Sequence, residues 1–330
     1  MKIGRWFFFL LLCNVQSLFA EPIDIVYTWV DGSSVEWRAC KEEWQKKLLP
    51  DRVSNAKNRY KNHEELKYSL RSLYAHAPYF NHIYIITFGQ KPAFLKDHPQ
   101  ITIVDHKDIF LDHAHLPTFN SMAIESHLHH IPGLSEKFIY LNDDVFFLSQ
   151  SDPSHFFRND EKIIVYQSPC LASAGLLEKE DTSFFAAWKN CSLLLDYTYK
   201  KEERYRCAHA PFAFTRTLFE AVEKQFPDVF ALVSSHKFRT PTDCVLTNGL
   251  IQYSGYYMRK VAFEREGKTI TVNIEDDMEK NSENFQEIKK GKYLFFCLGD
   301  DTTESDEQVE KQVNNLLEGL FPTPCPWEDM

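Results

Sequence analysis

Two adjacent aspartates, Asp143 and Asp144, follow the run Phe138-Ile139-Tyr140-Leu141-Asn142. Adjacent carboxylates at a strand end point to opposite sides of the chain, and one or both can hold a hard cation such as Mg²⁺ or Mn²⁺. A cation held there bridges diphosphate oxygens and neutralises charge on a leaving phosphate. Glu125, in Ala123-Ile124-Glu125-Ser126-His127, stands on a helix leading back to that strand. A carboxylate so placed joins the metal shell or takes an acceptor's proton. His209 precedes Ala210-Pro211, and Arg239 ends His236-Lys237-Phe238-Arg239. An imidazole exchanges protons near neutrality, and a guanidinium grips phosphate oxygens through a fork of donors. Trp29-Val30-Asp31-Gly32 closes the first apolar run and offers a loop for a nucleotide. Each of these also has an ordinary reading: a helix cap, a surface glutamate, a core histidine, a salt bridge or a turn. His127, His129 and His130 lack HExxH spacing and read as structural.

The elements that must position these residues are legible as apolar runs. Residues 23–30 (IDIVYTWV), 82–87 (HIYIIT), 101–104 and 138–141 (FIYL) are predicted strands. Helices are predicted over 36–48, from Asn62 through Leu66, Leu70 and Leu73, and over 121–130. Asn62 with Glu65 fits a capping box at the start of the second. Short strands alternating with helices argue for a parallel or mixed sheet, with a site at its carboxyl edge. Beyond about residue 150 helices are predicted over 182–200, 215–226, 241–254 and 306–320. Strands are expected near 257–264, 269–274 and 292–297, and the acidic, Lys-rich segment Glu275 to Lys290 as an exposed loop. The expected class is α/β: a Rossmann-like or glycosyltransferase-A-like mixed sheet with helices on both faces and a helix-rich C-terminal half.

The chain has 330 residues, 44% hydrophobic and 25% charged, with a formal net charge of −10. An acidic chain without a Lys/Arg block does not attract nucleic acid, so any anionic substrate depends on a local cation cluster. Lys2 and Arg5, then the apolar run Trp6 to Cys13 and a terminal Ala20, read as a signal peptide over residues 1–20. That leaves 21–330 as a single domain without a further membrane span. The seven cysteines beyond the signal show no CxxC spacing, which disfavours a zinc ribbon. Asn190-Cys191-Ser192 matches a glycosylation pattern.

In their order along the chain these motifs resemble the Stealth family. Ile23 to Gly32 is similar to its first conserved block. Glu64 to Leu73, Leu116-Pro117-Thr118-Phe119-Asn120-Ser121, Ala123 to His127 and Phe138 to Val145 resemble the second. His209-Ala210-Pro211 through Arg239 resembles the third, and Phe296-Cys297-Leu298 with Asp300-Asp301 the fourth. The family includes bacterial capsular-polysaccharide phosphotransferases and the animal Golgi enzyme that tags lysosomal glycoproteins with N-acetylglucosamine-1-phosphate. The resemblance implies transfer of a hexose-1-phosphate, in the first instance N-acetylglucosamine-1-phosphate, from a UDP-sugar to a glycan hydroxyl with release of UMP.

It implies Glu125, Asp144, His209 and Arg239 as active-site residues; Asp144 with Asp143 is expected to hold Mg²⁺ or Mn²⁺ on the diphosphate. Trp29, Asp31, Gly32, Arg71 and Asn120 are expected to bind substrate. Gly299 departs from the pattern, which has Asn before the last acidic pair. Two other readings compete: a metal-dependent glycosyltransferase releasing UDP, and a secreted glycan-binding protein without turnover. Export places the chain in a periplasm, outside the cell or in a secretory lumen. Without a functional signal it stays with the cytoplasmic UDP-sugars.

Overall fold

The computed structural model describes residues 21–48, 63–265, 267–303 and 306–329. The expected signal peptide and Asn62 lie outside the described residues. The N-terminal half runs β1 (Ile23–Thr28), α1 (Val35–Lys47), α2 (Glu65–His76), β2 (Ile83–Thr87), β3 (Ile101–Asp105), α3 (His106–Ile109), α4 (Ser121–Glu125), β4 (Lys137–Asn142) and β5 (Val145–Phe147). It continues through β6 (Ile163–Leu171), α5 (Ser183–Thr198), β7 (Tyr205–Cys207), β8 (Phe212–Thr215), α6 (Arg216–Gln225) and α7 (Pro227–Ser235). The last stretch holds α8 (Ile251–Tyr257), β9 (Val261–Glu264), β10 (Thr269–Ile274), α9 (Met278–Lys289), β11 (Phe295–Asp300) and α10 (Glu307–Leu320).

The central sheet has the order β3-β2-β1-β4-β8, parallel except for β8 at the edge. Every residue of β1 and β2 is buried, as are the middle four of β4. Strands covered on both faces must be apolar on both, so they read as unbroken Ile, Val, Leu and Tyr runs. The chain steps from β1 outward to β2 and β3, then returns to the other side of β1 as β4. That reversal opens a crevice at the carboxyl ends of β1 and β4, where Thr28 and Asn142 lie in register.

Only Asp143 and Asp144 separate β4 from β5, which belongs to a second sheet, β10-β11-β5. Side chains alternate across a strand. Val145, Phe147, Phe295 and Cys297 therefore join the main core, while Phe146, Phe296 and Leu298 pack with Phe285, Val313 and Leu317 of α9 and α10. A third sheet, β7-β6-β9, backs the C-terminal half. No described helix is long and apolar enough to cross a membrane.

Several expectations change. The first strand stops at Thr28 rather than 30. α2 starts at Glu65 behind Glu64 in a left-handed conformation and has no side-chain cap, so the capping box is replaced by Glu65 accepting from the His63 N–H. The 121–130 helix breaks after Glu125 and resumes as a 3₁₀ turn at Leu128–His130. The 241–254 helix forms only from Leu246, as a π-helical turn continuing into α8. The segment 275–290 contains α9 because Asn281, Phe285 and Ile288 make one buried stripe. Its polar member hides the pattern: the Asn281 amide exchanges hydrogen bonds with the Glu275 backbone. β5 to β8 and α7 were not expected; the C-terminal half is helix-rich as expected, with these strands added to it. All seven cysteines beyond residue 20 are free thiols. Asn190 donates to the Pro241 and Asp243 carbonyls, which ties up the amide of the glycosylation pattern.

Arg71 locks α2 to the C-terminal segment. Its Nε and Nη2 donate to the two oxygens of Glu328 at 2.8 Å each, and Nη1 donates to Glu318 and the Phe321 carbonyl. Both Arg71 and Glu328 are buried, 7% and 6% exposed at the side chain. Removing one partner strands a buried charge, so Arg71→Leu is expected to cost about 3–5 kcal/mol in urea unfolding. Arg71→Leu combined with Glu328→Leu should recover most of that loss.

Candidate active site

Asp143 and Asp144 sit at the floor of a cavity of about 310 Å³ at the crevice between β1 and β4. Two further carboxylates, Glu65 from α2 and Asp300 from the end of β11, line the same cavity. Burial pushes the Glu65 carboxyl up to about 7, against the pull of His63 and with a push from Asp144. Burial, then the charges of Glu65 and Asp144, raises Asp143 well above the usual carboxylate range. Asp144 Oδ1 is buried without a hydrogen-bond partner among the described residues. Crowded carboxylates with an orphaned oxygen are the chemistry of a divalent-cation site, which supplies the missing positive charge. Trp29, Trp37 and Phe119 wall the cavity, Trp37 meeting Phe119 edge-on at 5.5 Å.

Ser121, Asn142, His209 and Arg239 line both this cavity and a larger cleft of about 1220 Å³. Glu125 lines the larger one. It sits at the end of α4, where Thr247 donates to Oε2 and Tyr140 donates to Oε1 at 3.4 Å. Burial raises its pKa, opposed by the Thr247 hydrogen bond and then by the charges of Arg239 and His209. Arg239 donates to Ser121 Oγ at 2.8 Å. His209 Nε2 lies 3.1 Å from Asn142 Oδ1, and its Nδ1 lies 3.5 Å from Cys297 Sγ. The large cleft adds Arg206 and Arg265, the latter stacked over Tyr205 at 4.2 Å.

Asp243 is the hidden organiser. Fully buried, it receives the Asn120 amide, His236 Nδ1 at 2.7 Å and the Thr240 N–H at 2.7 Å. Phe119 N–H donates to Lys237 O, and Phe119 and Phe238 stack at 5.0 Å. The segment carrying Arg239 is thus fastened to the helix carrying Glu125. Gly249 keeps the π-helical turn compact, since a Cβ there would lie 2.6 Å from Val245 Cγ2. That turn presents Thr247 to Glu125.

Glu125, Asp143, Asp144, His209, Arg239 and Trp29 are therefore brought together around the two chambers. Three corrections concern substrate binding. Arg71 is consumed by Glu328, Glu318 and Phe321 and lines neither chamber. Asn120 is fully buried, caps α4 at the Met122 N–H and binds Asp243, so it positions Glu125. Asp31 turns its carboxylate to Ser33 and, like Gly32, lies outside the lining, where Thr28, Trp29 and Val30 stand instead. His127 and His129 bond Ser234 and Glu223 away from both chambers. At Gly299 a Cβ would lie 2.7 Å from Oδ1 of its cross-strand partner Asn273, so an amide from β10 fills the space beside it. Sequence reasoning missed Glu65, Asp243, Thr247 and Cys297; the first looked like a cap and the others had no pattern of their own.

Models of the four Stealth protein conserved regions match in order: region 1 over 21–48, region 2 over 59–165, region 3 over 208–255 and region 4 over 286–329. The chain belongs to the Stealth family. Glu125 and Asp144 fall in region 2, His209 and Arg239 in region 3, and Cys297 and Asp300 in region 4. Two exopolysaccharide phosphotransferases of Streptomyces coelicolor are 35% and 36% identical to this Stealth chain. The alignments cover 93% of it, and 52% and 51% of those proteins. The exopolysaccharide phosphotransferase CpsY of Mycobacterium tuberculosis is 33% identical over 93% of this chain and 58% of its own. The chain thus spans about half the length of the curated relatives it matches. A solved galactosyltransferase, LgtC with donor and acceptor sugar analogs, superposes with a TM-score of 0.40 at 11% identity, covering 92% of this chain and 98% of that one. At that distance the likeness carries no argument.

The carboxylate cluster makes stability depend on pH. Glu65 binds its proton more tightly folded (about 7) than at its ordinary value of 4.5. The stability this proton confers is fully present below 4.5 and lost as pH rises through about 7. In chelator-treated protein, Glu65→Gln is expected to flatten the fall in Tm across pH 4.5 to 7. Mn²⁺ should raise the wild-type Tm more at the upper end of that window than at the lower, as read by differential scanning fluorimetry.

Proposed function

We propose that this chain is a sugar-1-phosphate transferase, moving hexose-1-phosphate from a UDP-sugar to a glycan hydroxyl with release of UMP. The observation that carries this reading is the meeting of Glu125, Asp143-Asp144, His209 and Arg239 where two chambers join. The names of the exopolysaccharide phosphotransferase relatives support it. The aromatic wall of Trp29, Trp37 and Phe119 suits the uridine, and the carboxylate floor beneath it suits the diphosphate through a cation. The larger cleft, with room for a saccharide and with Arg206 and Arg265 on its walls, suits the donor's sugar and the acceptor.

Asp143 and Asp144 would hold Mg²⁺ or Mn²⁺, with Glu65 and Asp300 adding to the negative field. Such an ion, when bound, neutralises charge on the departing nucleoside phosphate. The acceptor oxygen attacks the sugar-bearing phosphorus, the bond from that phosphorus to the bridging oxygen of UMP breaks, and the sugar's C1–O bond survives. Arg239, held by Ser121 between the chambers, grips the oxygens of the phosphoryl group in transfer. His209 Nε2–H donates to Asn142 Oδ1, 3.1 Å away, which leaves the ring's other nitrogen to take the acceptor's proton. Glu125, anchored by Thr247, orients the acceptor and balances the charge of Arg239 beside it.

The test is nucleotide release from UDP-N-acetylglucosamine with Mn²⁺ and glycan acceptors. UMP is expected, lost in Asp144→Asn and reduced about a thousandfold in Arg239→Ala. UDP in its place would mean glycosyl transfer, and neither nucleotide with any UDP-hexose would leave a binding protein. The base is assigned by the pH dependence of kcat/KM: His209→Gln should abolish its acid limb. Loss of that limb in Glu125→Gln instead would move the role to Glu125.

A further inference from the structure

Cys297 has no part in the mechanism above, yet it faces the catalytic groups. The alternation of β11 turns its side chain toward the main core, and it is fully buried there. Its Sγ lies 3.5 Å from Asp144 Oδ2 and 3.5 Å from His209 Nδ1. One ligand atom from each of the three residues falls within 4.8 Å of the others. With the proton on sulfur these are thiol hydrogen bonds; with it gone the same spacings suit a metal. Zinc binds sulfur at about 2.3 Å and nitrogen or oxygen at about 2.0 Å, and in a tetrahedron those lengths set S···N and S···O edges of about 3.5 Å. Two independent features prepare the site. Asp144 Oδ1 is a buried oxygen without a hydrogen-bond partner among the described residues. Asn142 Oδ1 holds His209 Nε2 and so orients Nδ1 inward, the arrangement that fixes a metal-binding imidazole.

We propose that Asp144, His209 and Cys297 form a binding site for a thiophilic divalent cation of the Zn²⁺ class, with its fourth position open to the cleft. One carboxylate oxygen, one imidazole nitrogen and one thiolate make a donor set that Mg²⁺ disfavours and Zn²⁺, Co²⁺ or Cd²⁺ favours. Coordination replaces the thiol's proton, which passes to solvent, and no electron is transferred. Occupancy would place His209 Nδ1 on the cation while Nε2–H stays on Asn142, leaving no free imidazole lone pair for the acceptor's proton. A soft cation at this position is therefore an inhibitor of the phosphotransferase reading, on which this consequence rests. Binding itself does not require that reading.

The full chain, freed of metal by chelation and kept in a non-thiol reductant, is titrated with Co²⁺ under argon. One equivalent should produce a near-ultraviolet thiolate-to-cobalt charge-transfer band with tetrahedral visible absorption, displaced by Zn²⁺ but not by excess Mg²⁺. Cys297→Ser should lose the band. His209→Ala, a change on the cleft side that leaves the core untouched, should weaken Co²⁺ binding at least about tenfold. No band in the wild type, a band undiminished in Cys297→Ser, or unchanged affinity in His209→Ala would each overturn the proposal. A band in a chain that, freed of Co²⁺ and given Mn²⁺ alone, releases no UMP would sink the phosphotransferase reading alone. UMP release by a chain without the band would sink this inference alone.

Discussion

Two residues carry the chain from one sheet to another, and they are both aspartates. β4 must end in the central sheet and β5 must begin in the second, so Asp143 and Asp144 are fixed at the joint by hydrogen bonding on either side. Strand register leaves them little freedom: Asn142 is opposite Thr28, and Val145 is opposite Cys297. Glu65 is delivered to the same place because α2 packs on β5. Mutual repulsion and burial then hold protons on carboxyl groups that water would ionise. The fold concentrates carboxyl groups whose charge is relieved by protons, by His63 at 3.2 Å from Asp300, or by a bound cation.

The rest of the site is arranged around that joint by contacts between distant segments. Asp243 is the central example, receiving Asn120, His236 and Thr240 in one dry pocket. A buried carboxylate is tolerated only when several donors satisfy it, and here each donor belongs to a segment that carries chemistry. Asn120 leads into the helix of Glu125, while His236 and Thr240 flank Arg239. Moving any one of them would expose a charge to an apolar interior. Positional accuracy at the crevice is thus secured by the penalty of breaking a buried network, at some distance from the reacting atoms.

How much of this the sequence discloses follows from which residues act through local pattern. The central strands were readable because burial on both faces forces continuous apolar runs, as in Ile23 to Thr28. The positions of Asp143 and Asp144 followed from such a run. Boundaries failed where polar side chains did backbone work: Asn281 disguised α9, and Glu65 imitated a cap while contributing to a charge cluster. Arg71 and Asn120 were misplaced for a related reason. A buried Arg gripping Glu328, 257 positions away, and an Asn gripping Asp243, 123 away, have no signature in their own neighbourhoods. Cys297 was invisible as a site residue because only the pairing of β5 with β11 puts it beside Asp144 and His209.

The net charge of −10 sharpens what the crevice must accomplish. A nucleoside diphosphate approaching such a chain meets an unfavourable long-range field, screened within about 8 Å at physiological ionic strength. Attraction therefore has to be local. Arg239 stands between the chambers and Arg206 and Arg265 stand on the wall of the larger one, while the floor of the smaller chamber carries four carboxylates. On the proposed function, that floor without a cation would repel the diphosphate; a divalent ion would offset part of its charge and act in concert with the arginines. On that same proposal, such a cation would govern donor binding as well as the departure of the leaving group. A charge arrangement of this kind ties affinity for an anionic donor to metal occupancy, so the two are best understood as one equilibrium.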